Sequence, residues 1–459
     1  MKRQSILSTS YMTVIAVGIL VFFSSCCKKE QTPKDIKHLE EFHILNFAEQ
    51  EKKLQESQLK LYVDYSTCNM LGQNSPFFQE IAASLVTKTT EYYSIKGNVI
   101  EQEDLSIKGG VYTLLRNINE VNFADLFKAA NLMAKGDCES VLITDGEYYT
   151  PTDNAKGHDN DPYLAEAFKE WILRGYDIHL ISEPYKEPFG GKLYNKRRFY
   201  ILFTDDRMPN NIYERIHRTV NFTKFPNVDE YHLSASHPRM KGNGVNSSIQ
   251  NSILGSKSEG YGVFEIQDWD GCDWKTIEDE IVNAIDEKTG GVLENGATVI
   301  EMGVDKNSFG CYRISGLKLN VYNINQYYNE FYNARENGEK LGRQEYNLES
   351  VLLENFMLID NKEFEKHSKI DIHFNQPWFD PNVLIGKPYN YLKLDIVIDD
   401  VKSIFDQHEE KFEFESISKD GEKNVSVASS IKQCLADDKV LKKMIGQVIY
   451  TIYVKSEKK

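Results

Sequence analysis

The clearest hydrophobic pattern in the chain is a short apolar run that ends in polar residues, and it occurs twice. The first run spans residues 59–63 and leads into Asp64 and Ser66. The second spans residues 140–143 and leads into Asp145. Short apolar runs bounded by polar residues are typical of strands that are buried on both faces of a parallel sheet. We therefore expect two parallel strands that bring both aspartates to one sheet edge, which is where open α/β sheets bind ligands.

Further strand-like runs alternate with segments of helical spacing. Ser75 before Pro76 and Asp161 before Pro162 are typical helix starts, because the side-chain oxygen can cap the first turn and proline fits its first position. We expect strands at 91–100, 105–115, 176–182 and 198–204, and helices after Pro76, at 123–133, after Pro162 and at 211–220. This alternation predicts an α/β fold with a doubly wound, mostly parallel, Rossmann-type sheet over residues 59–221.

The pattern changes beyond residue 221. Residues 222–335 are richer in Gly, Ser, Asn and aromatic residues and have shorter apolar runs, which predicts a β-rich middle domain. The charged stretch at 333–340 is expected to be a linker or long loop. In the last domain, 336–459, apolar residues alternate with polar ones, most clearly across 392–398. Such alternation predicts half-buried antiparallel strands of a sandwich-like domain, with a helix near 427–435.

The N-terminus has the pattern of a secretion signal. Lys2 and Arg3 precede an apolar run at 12–23 that is short for a membrane span. Small residues stand just before Cys26, and this arrangement resembles the lipobox of bacterial lipoproteins, in which the cysteine is acylated. The resemblance implies a signal peptide at 1–26, a tether that becomes a short helix at 27–58, and a lipid anchor in the bacterial outer membrane or cell surface. Cys27 is the alternative acylation site, and an ordinary signal peptide is the alternative to a lipobox.

Composition narrows the choice of partner. The chain of 459 residues is 41% hydrophobic and carries a formal net charge of -15. Nucleic-acid binding needs clustered Lys and Arg, so we expect no nucleic-acid partner. The seven cysteines are too few and too widely spaced for a disulfide framework. Cys272 and Cys311 flank strand-like stretches and are one pairing that the sequence leaves open.

The residues at the expected sheet edge form a recognisable motif. Asp64, Ser66 and Cys68 give the pattern Asp-x-Ser-x-Cys, and Asp145 follows a later strand. This resembles the metal-ion-dependent adhesion site of von Willebrand factor type A (VWA) domains, in which the first strand ends in Asp-x-Ser-x-Ser, a threonine lies in a later loop, and an aspartate follows the fourth strand. The resemblance covers roughly residues 59–220. It implies that Asp64, Ser66 and Asp145 hold Mg²⁺ or Mn²⁺, and that a protein ligand supplies a carboxylate to that ion.

Two positions depart from the family pattern. Cys68 replaces the last serine, and a thiol is a soft ligand that suits Mg²⁺ poorly. Val121 stands where the family has threonine and offers no ligand atom, which leaves Asn122 and Asp125 as nearby oxygen donors. Without a metal, binding would rest on shape and hydrogen bonding at the same edge. The structural alternative is that the two strand-end aspartates only cap turns and helices.

Other polar segments have plainer interpretations. The acidic segment 153–161 would lie at the same edge and shape a binding surface, but a solvated loop whose last aspartate caps a helix is favoured. Residues 268–273 carry three aspartates around a glycine, yet they lack the spacing of an EF-hand and favour a turn. His232 and His237 have no third ligand in view, so we expect both to be ordinary histidines.

We therefore expect a lipid-anchored envelope protein that binds a protein partner and is not an enzyme. The main alternative is an extracytoplasmic hydrolase. Asp64 at a strand end distantly resembles the nucleophile of haloacid-dehalogenase-like hydrolases, but Ser66 holds the position of their second aspartate. A nucleophilic Cys68 has no histidine placed by sequence to activate it. The third interpretation is a structural subunit of an envelope assembly.

Overall fold

The structure is a computed structural model. It describes residues 34–47, 54–66, 74–86, 90–118, 123–149, 158–236, 245–246, 261–266, 289, 291, 296, 298–303, 311–384, 389–417, 419 and 421–457. These residues form two compact units. The first contains the described residues up to Ala48 together with Gln326–Tyr346, and the second contains the described residues of 49–325 and 347–459.

The helices are numbered in chain order. They are α1 (Lys34–Asn46), α2 (Pro76–Ser84), α3 (Leu105–Lys108), α4 (Val111–Leu115), α5 (Leu126–Ala134), α6 (Ala165–Leu173), α7 (Ile212–Thr219), α8 (Asn325–Glu336), α9 (Asn361–His367), α10 (Ser426–Leu435) and α11 (Asp438–Met444). No helix among the described residues is both long enough and apolar enough to cross a membrane.

The strands are numbered in the same way. They are β1 (Gln55–Asp64), β2 (Thr90–Lys96), β3 (Val99–Gln102), β4 (Cys138–Thr144), β5 (Asp177–Phe189), β6 (Lys192–Thr204), β7 (Asp229–Leu233), β8 (Val245–Asn246), β9 (Tyr261–Ile266), β10 (Thr298–Gly303), β11 (Tyr312–Asn323), β12 (Met357–Ile359), β13 (Lys369–Phe374), β14 (Tyr389–Ser403), β15 (Phe414–Glu415), β16 (Lys423–Asn424) and β17 (Val448–Glu457).

The first unit is built on aromatic contacts. Phe42 of α1 is fully buried and meets the rings of Tyr328, Phe331 and Tyr346 at centroid distances of 5.2 to 5.5 Å. The short helix expected within residues 27–58 is therefore present as α1, and one face of it is buried. α8 runs through Glu336, so the first part of the charged stretch at 333–340 is helical, not a linker.

A mixed sheet of seven described strands dominates the second unit, in the order β3-β2-β1-β4-β6-β5-β7. β1 pairs in parallel with β2 and β4, and the remaining pairs in this sheet are antiparallel. β1, β2, β4 and β5 thus point the same way. The predicted α/β class is confirmed at this level, with β1 and β4 as central neighbours.

Helices cover both faces of this sheet. Leu61 and Val63 of β1 pack in one apolar cluster with residues of α2 and α7. Tyr62, pointing to the opposite face, packs in another with residues of α5 and α6. This alternation is what a strand buried on both faces requires.

Two strand predictions differ from the structure. Residues 105–115 form α3 and α4, because Asp104 caps α3 by accepting a hydrogen bond from the Ser106 amide at 2.9 Å. Residues 91–100 do not form one strand, since the chain turns at Gly97, where φ is +60°, and separates into β2 and β3.

Three further sheets follow among the described residues, in the orders β12-β13-β10-β8, β11-β14-β17-β9 and β15-β16. Their pairs are antiparallel except for β9 with β17, so the antiparallel strands expected towards the C-terminus are present. The helix expected near 427–435 is α10, and it packs on α6 of the first sheet: Ser430 Oγ accepts a hydrogen bond from the Leu164 amide at 3.1 Å. The C-terminal segment therefore returns to the first sheet.

Candidate functional site

Asp64 and Asp145 lie at the carboxyl ends of two adjacent parallel strands. β1 and β4 are in register at Val63 and Ile143, so the residues that follow them meet at the same edge. Thr144 Oγ1 donates to Asp64 Oδ2 at 2.8 Å, and Ser66 Oγ donates to Asp145 Oδ2 at 3.0 Å. The Ser66 amide also donates to Asp64 Oδ1 at 2.8 Å. One hydrogen-bonded group is thus formed by three residues predicted from the sequence, Asp64, Ser66 and Asp145. We call this group the acidic edge.

The two carboxyl groups of the acidic edge are buried. Asp64 is 0% exposed and Asp145 is 2% exposed. Burial, and then the charge of Asp145, raises the pKa of Asp64 well above its usual range, although the hydrogen bonds from Thr144 and Ser66 oppose this shift. A carboxyl group in such surroundings either keeps its proton or needs a nearby cation.

A third carboxylate lies beside this pair. The Glu147 amide donates to Asp145 Oδ1 at 2.8 Å, and the Glu147 side chain accepts a hydrogen bond from the buried Lys196 ammonium. Burial and the charge of Asp145 raise the pKa of Glu147 to about 7, while Lys196 acts in the opposite direction. The edge therefore brings three carboxyl groups together where water has little access, with one buried ammonium group beside them.

The C-terminal segment packs against the turn that carries Asp145. The Gly146 carbonyl accepts hydrogen bonds from the Tyr163 hydroxyl at 3.0 Å and from Ser426 Oγ at 3.3 Å. Gly146 has a φ of +77°, and a Cβ placed there would lie 2.7 Å from the Phe199 ring and 3.0 Å from Val427. Only glycine fits this turn without a rearrangement.

The segment before α6 is held in a way the sequence did not predict. Asp159 accepts hydrogen bonds from Ser416 Oγ at 2.8 Å and from Asn424 Nδ2 at 3.0 Å. Asp161, predicted as the helix cap, does not cap α6, which begins at Ala165 without a side-chain cap. Asp161 instead pairs with His158.

The remaining predicted residues are accounted for as follows. Asp125 caps α5 by accepting a hydrogen bond from the Lys128 amide at 3.0 Å, so its structural role is the one shown. Cys311 is buried with a free thiol that donates to the Ser234 carbonyl at 3.2 Å. Cys26, Cys27, Cys68, Val121, Asn122, His237, Cys272, residues 268–273 and most of 153–161 lie outside the described residues.

The donor atoms of the acidic edge suit a hard divalent cation. Asp64 and Asp145 supply carboxylate oxygens, and Ser66 supplies a hydroxyl oxygen on a partly exposed residue. Mg²⁺ and Mn²⁺ prefer such oxygen ligands and keep water in their remaining positions. An ion there would also neutralise the buried charge.

A second polar group lies at the opposite edge of the same sheet, and sequence reasoning missed it. His179 of β5 is directly opposite His232 of β7 in the antiparallel register. His179 Nε2 lies 2.9 Å from Asp206 Oδ1, and His232 Nε2 lies 3.0 Å from Asp177 Oδ1 and 3.3 Å from Asp206 Oδ2. We call these four residues the His–Asp group. Asp177 and His179 both belong to β5, whereas Asp206 and His232 come from later segments, and the register of β5 with β7 places His232 beside His179.

Three members of the His–Asp group could hold a metal ion. One ligand atom from each of His179, Asp206 and His232 lies within 4.8 Å of the others. The two imidazole rings, however, are stacked with centroids 4.3 Å apart and planes 4° from parallel. The nitrogen lone pairs lie in the ring planes, so those of the two rings lie in nearly parallel planes and do not converge on one point. One ring would have to turn before both could bind one ion.

The charges of the His–Asp group stabilise one another. Burial alone would raise the pKa of Asp177, but the hydrogen bond and charge of His232 outweigh it and hold the pKa at about 2. Burial opposes protonation of His232, yet Asp177 raises its pKa above the ordinary value. Burial, together with the charge of His232, lowers the pKa of His179. The group therefore favours protonation of His232, which lies between two carboxyl groups, and disfavours protonation of His179.

A charged cavity of about 660 Å³ lies between the β5–β6 hairpin and residues 410–423. Its charges are largely paired with one another: Arg197 contacts Asp229 at 2.9 Å, and Lys423 contacts Glu413 at 2.6 Å. Because these ion pairs already satisfy the charges, the lining does not select a ligand of one sign.

Comparison with known proteins adds no name to this geometry. No family model, curated protein or solved structure matches the chain. The resemblance to VWA domains therefore rests on the sequence motif alone.

Proposed function

We propose that the seven-stranded sheet belongs to a VWA-like domain that binds a protein partner through a divalent cation at the acidic edge, in a lipid-anchored protein of the bacterial envelope. The observation that supports the proposal is the hydrogen-bonded group of Asp64, Ser66 and Asp145 at the ends of β1 and β4. The donors match the first two positions and the last position of the family motif.

The electrostatics of the edge favour a cation. Two buried carboxyl groups side by side cannot both ionise without a large cost, because desolvation and like charge act together. A bound Mg²⁺ or Mn²⁺ would remove that cost, and we therefore expect the folded chain to bind the ion more tightly as Asp64 loses its proton.

The ligand, in this proposal, completes the coordination of the ion with its own carboxylate. Ser66 is partly exposed, whereas Asp64 and Asp145 are buried. The ligand therefore approaches from the side of Ser66. The turn at Gly146 stays beneath Ser426 and Val427, so this arrangement needs no displacement of α10.

Thermal melts in EDTA and in excess Mg²⁺ or Mn²⁺ test the cation. We would use residues 28–459, which keep every described residue. An ion at about 100 times its Kd adds about 2.7 kcal/mol to the folded state, and we expect the midpoint to rise accordingly. Asp64→Asn should abolish the rise, whereas Asp399→Asn, at an exposed aspartate of β14, should keep it. A midpoint that does not respond to either ion would refute the cation site.

Co-purification from membranes tests the partner. The wild-type chain should retain a protein that Asp64→Asn loses, in a cation-dependent manner. A partner present in stoichiometric amount would instead favour a permanent envelope assembly, and a partner retained equally by Asp64→Asn would exclude the acidic edge as the binding site.

A further inference from the structure

The β5–β6 hairpin extends well past the edge of the seven-stranded sheet. β4 pairs with β6 only from Ser140 with Phe203 to Thr144 with Phe199. The pairing of β5 with β6 continues to Phe189 with Lys192. Seven residues of β6 therefore lie beyond the last pair with β4, a length of about 20 Å at the usual strand rise. The hairpin projects at the end of the sheet that carries the acidic edge.

The middle of this projection is held by a residue of the C-terminal segment. Glu415 accepts hydrogen bonds from the Asn195 amide at 2.6 Å and from Asn195 Nδ2 at 2.8 Å. At the tip, Gly190 and Gly191 have φ values of +58° and +81°, as a two-residue turn with both central residues at positive φ requires. The fold thus presents residues 188–193, here called the hairpin tip, at the end of a paired two-stranded ribbon.

The hairpin tip exposes large apolar side chains beside positive charge. Phe189 is 56% exposed and Leu193 is 66% exposed. Lys186 and Lys192 are exposed nearby, and the tip sequence Pro-Phe-Gly-Gly-Lys-Leu contains no carboxylate. This is a local reversal of character in a chain whose net charge is -15.

We propose that the hairpin tip inserts into the surface of an anionic lipid membrane. Apolar side chains at the tip enter the boundary between headgroups and acyl chains, while neighbouring lysines meet lipid phosphates. Lysine suits this position because its apolar stem can follow the inserted residues while its ammonium group stays with the headgroups.

The geometry favours a membrane over a protein groove. Leu193 pairs with Pro188, and Phe189 pairs with Lys192. Paired residues share a face of the ribbon and successive residues alternate, so Phe189 and Leu193 point to opposite faces. A protein that packs on one face would bury only one of them. A fluid bilayer surrounds the tip and buries both.

Vesicle sedimentation tests the proposal with residues 28–459, which carry no lipid. We expect binding to vesicles of phosphatidylglycerol and phosphatidylethanolamine and much weaker binding to neutral phosphatidylcholine vesicles. Phe189→Ser with Leu193→Ser should lower the affinity for anionic vesicles by about tenfold or more, because two inserted side chains are lost. Lys192→Glu and added salt should each weaken binding, since surface charge attraction is screened.

The matched control is Ile107→Ser, at an apolar residue of α3 that is 78% exposed. It should bind vesicles as wild type does. The tryptophan fluorescence of Phe189→Trp, compared with that of wild type, should shift to shorter wavelength when anionic vesicles are added. The Phe189→Ser/Leu193→Ser variant should melt as wild type does, since both side chains are exposed. Three results would each overturn the proposal. The wild-type chain could fail to bind vesicles, or the Phe189→Ser/Leu193→Ser variant could bind them as wild type does. The third result is that this variant loses binding to a protein partner and keeps its binding to vesicles. The cation-dependent melts are unaffected by any of these outcomes, so the two proposals fail separately.

Discussion

Asp64 combines complete burial with a neighbouring carboxyl group, and its protonation therefore links pH to stability. Its pKa is raised in the folded chain, first by desolvation and then by Asp145. A carboxyl group of this kind stabilises the fold below its unfolded pKa, and that contribution is lost as the pH rises through the folded pKa. In EDTA, the acidic edge should therefore destabilise the fold increasingly as the pH rises from acidic to neutral.

Replacing Asp64 by asparagine should remove this destabilisation. Asparagine carries no charge, and its carbonyl oxygen can accept the hydrogen bond from the Ser66 amide while its NH2 group donates to Thr144 Oγ1. In EDTA we expect Asp64→Asn to melt a few degrees above wild type at pH 8, with the difference shrinking towards pH 4. Melts between pH 4 and pH 8 measure it. A wild-type chain that is the more stable one in EDTA at pH 8 would contradict the burial argument.

The pH dependence of stability expected from Asp177 has the opposite sign to that expected from Asp64. Its pKa is held at about 2 by His232 despite burial, so it stabilises the fold above its unfolded pKa near 3.8 and loses that contribution as the pH falls towards 2. His232, with a raised pKa, contributes below about 6.5 and loses its contribution as the pH rises through its folded pKa. The pair therefore stabilises the fold most between about pH 4 and pH 6.5.

Breaking this pair should be costly in that window. We expect Asp177→Asn to lower the free energy of unfolding by about 2 kcal/mol at pH 5 to 6, with the loss fading below pH 3 as wild-type Asp177 protonates. Denaturant titrations at several pH values measure the difference. His367→Gln, at an exposed histidine of α9, serves as a control for general histidine titration and should change little. A loss for Asp177→Asn that is independent of pH would show that packing, not charge, is what Asp177 supplies.

At the scale of elements, the turn after β4 is the point where two distant segments meet. Gly146 lies between Phe199 of β6 and Val427 of α10, and its φ is +77°. Both the backbone conformation and the lack of space require glycine. The turn thus sets how closely the C-terminal segment approaches the acidic edge.

Gly146→Ala should therefore destabilise the fold by more than backbone strain alone explains. The matched control is Gly421→Ala, since Gly421 has a φ of +83° with no atom within 4 Å of an added Cβ. We expect the control to cost about 1 to 2 kcal/mol and Gly146→Ala a further 1 to 3 kcal/mol from overpacking. Denaturant titration of both variants gives the comparison, and equal costs would mean that Phe199 and Val427 yield easily.

The elements that the sequence predicted well are those with strong local patterns. β1 and β4 each contain a short, largely apolar run, and their strand ends locate the acidic edge. Residues 176–182 and 198–204 were expected as separate strands of a mostly parallel sheet, but they belong to the antiparallel β5–β6 hairpin, because an apolar run does not determine the direction of the neighbouring strand. Residues 105–115 were mistaken for a strand because their apolar residues alternate, yet Ile107 is exposed on a capped helix. The His–Asp group depends on register between β5 and β7, which composition does not encode.

At the scale of the whole molecule, packing crosses the boundaries that composition suggests. The predicted boundaries after residues 221 and 335 remain predictions, and the described residues on either side share one apolar cluster that includes Phe168, Leu394 and Ile431. The shift in composition at residue 222 is real, but composition records which residues a segment contains and not which distant surface it covers. The return of α10 to α6 could not be inferred from it.

The packing of α10 on α6 also affects the order in which the protein can fold during synthesis. The Leu164 amide and the Ser430 hydroxyl that bind each other are 266 positions apart. At translation rates of about 5 to 20 residues per second, the ribosome needs roughly 15 to 50 s to travel between them. During that interval the apolar side of α6 has no α10 to cover it, so the nascent chain offers a binding surface to chaperones and a target to proteases. Secretion of the chain before it folds would shift this vulnerable interval to the far side of the membrane.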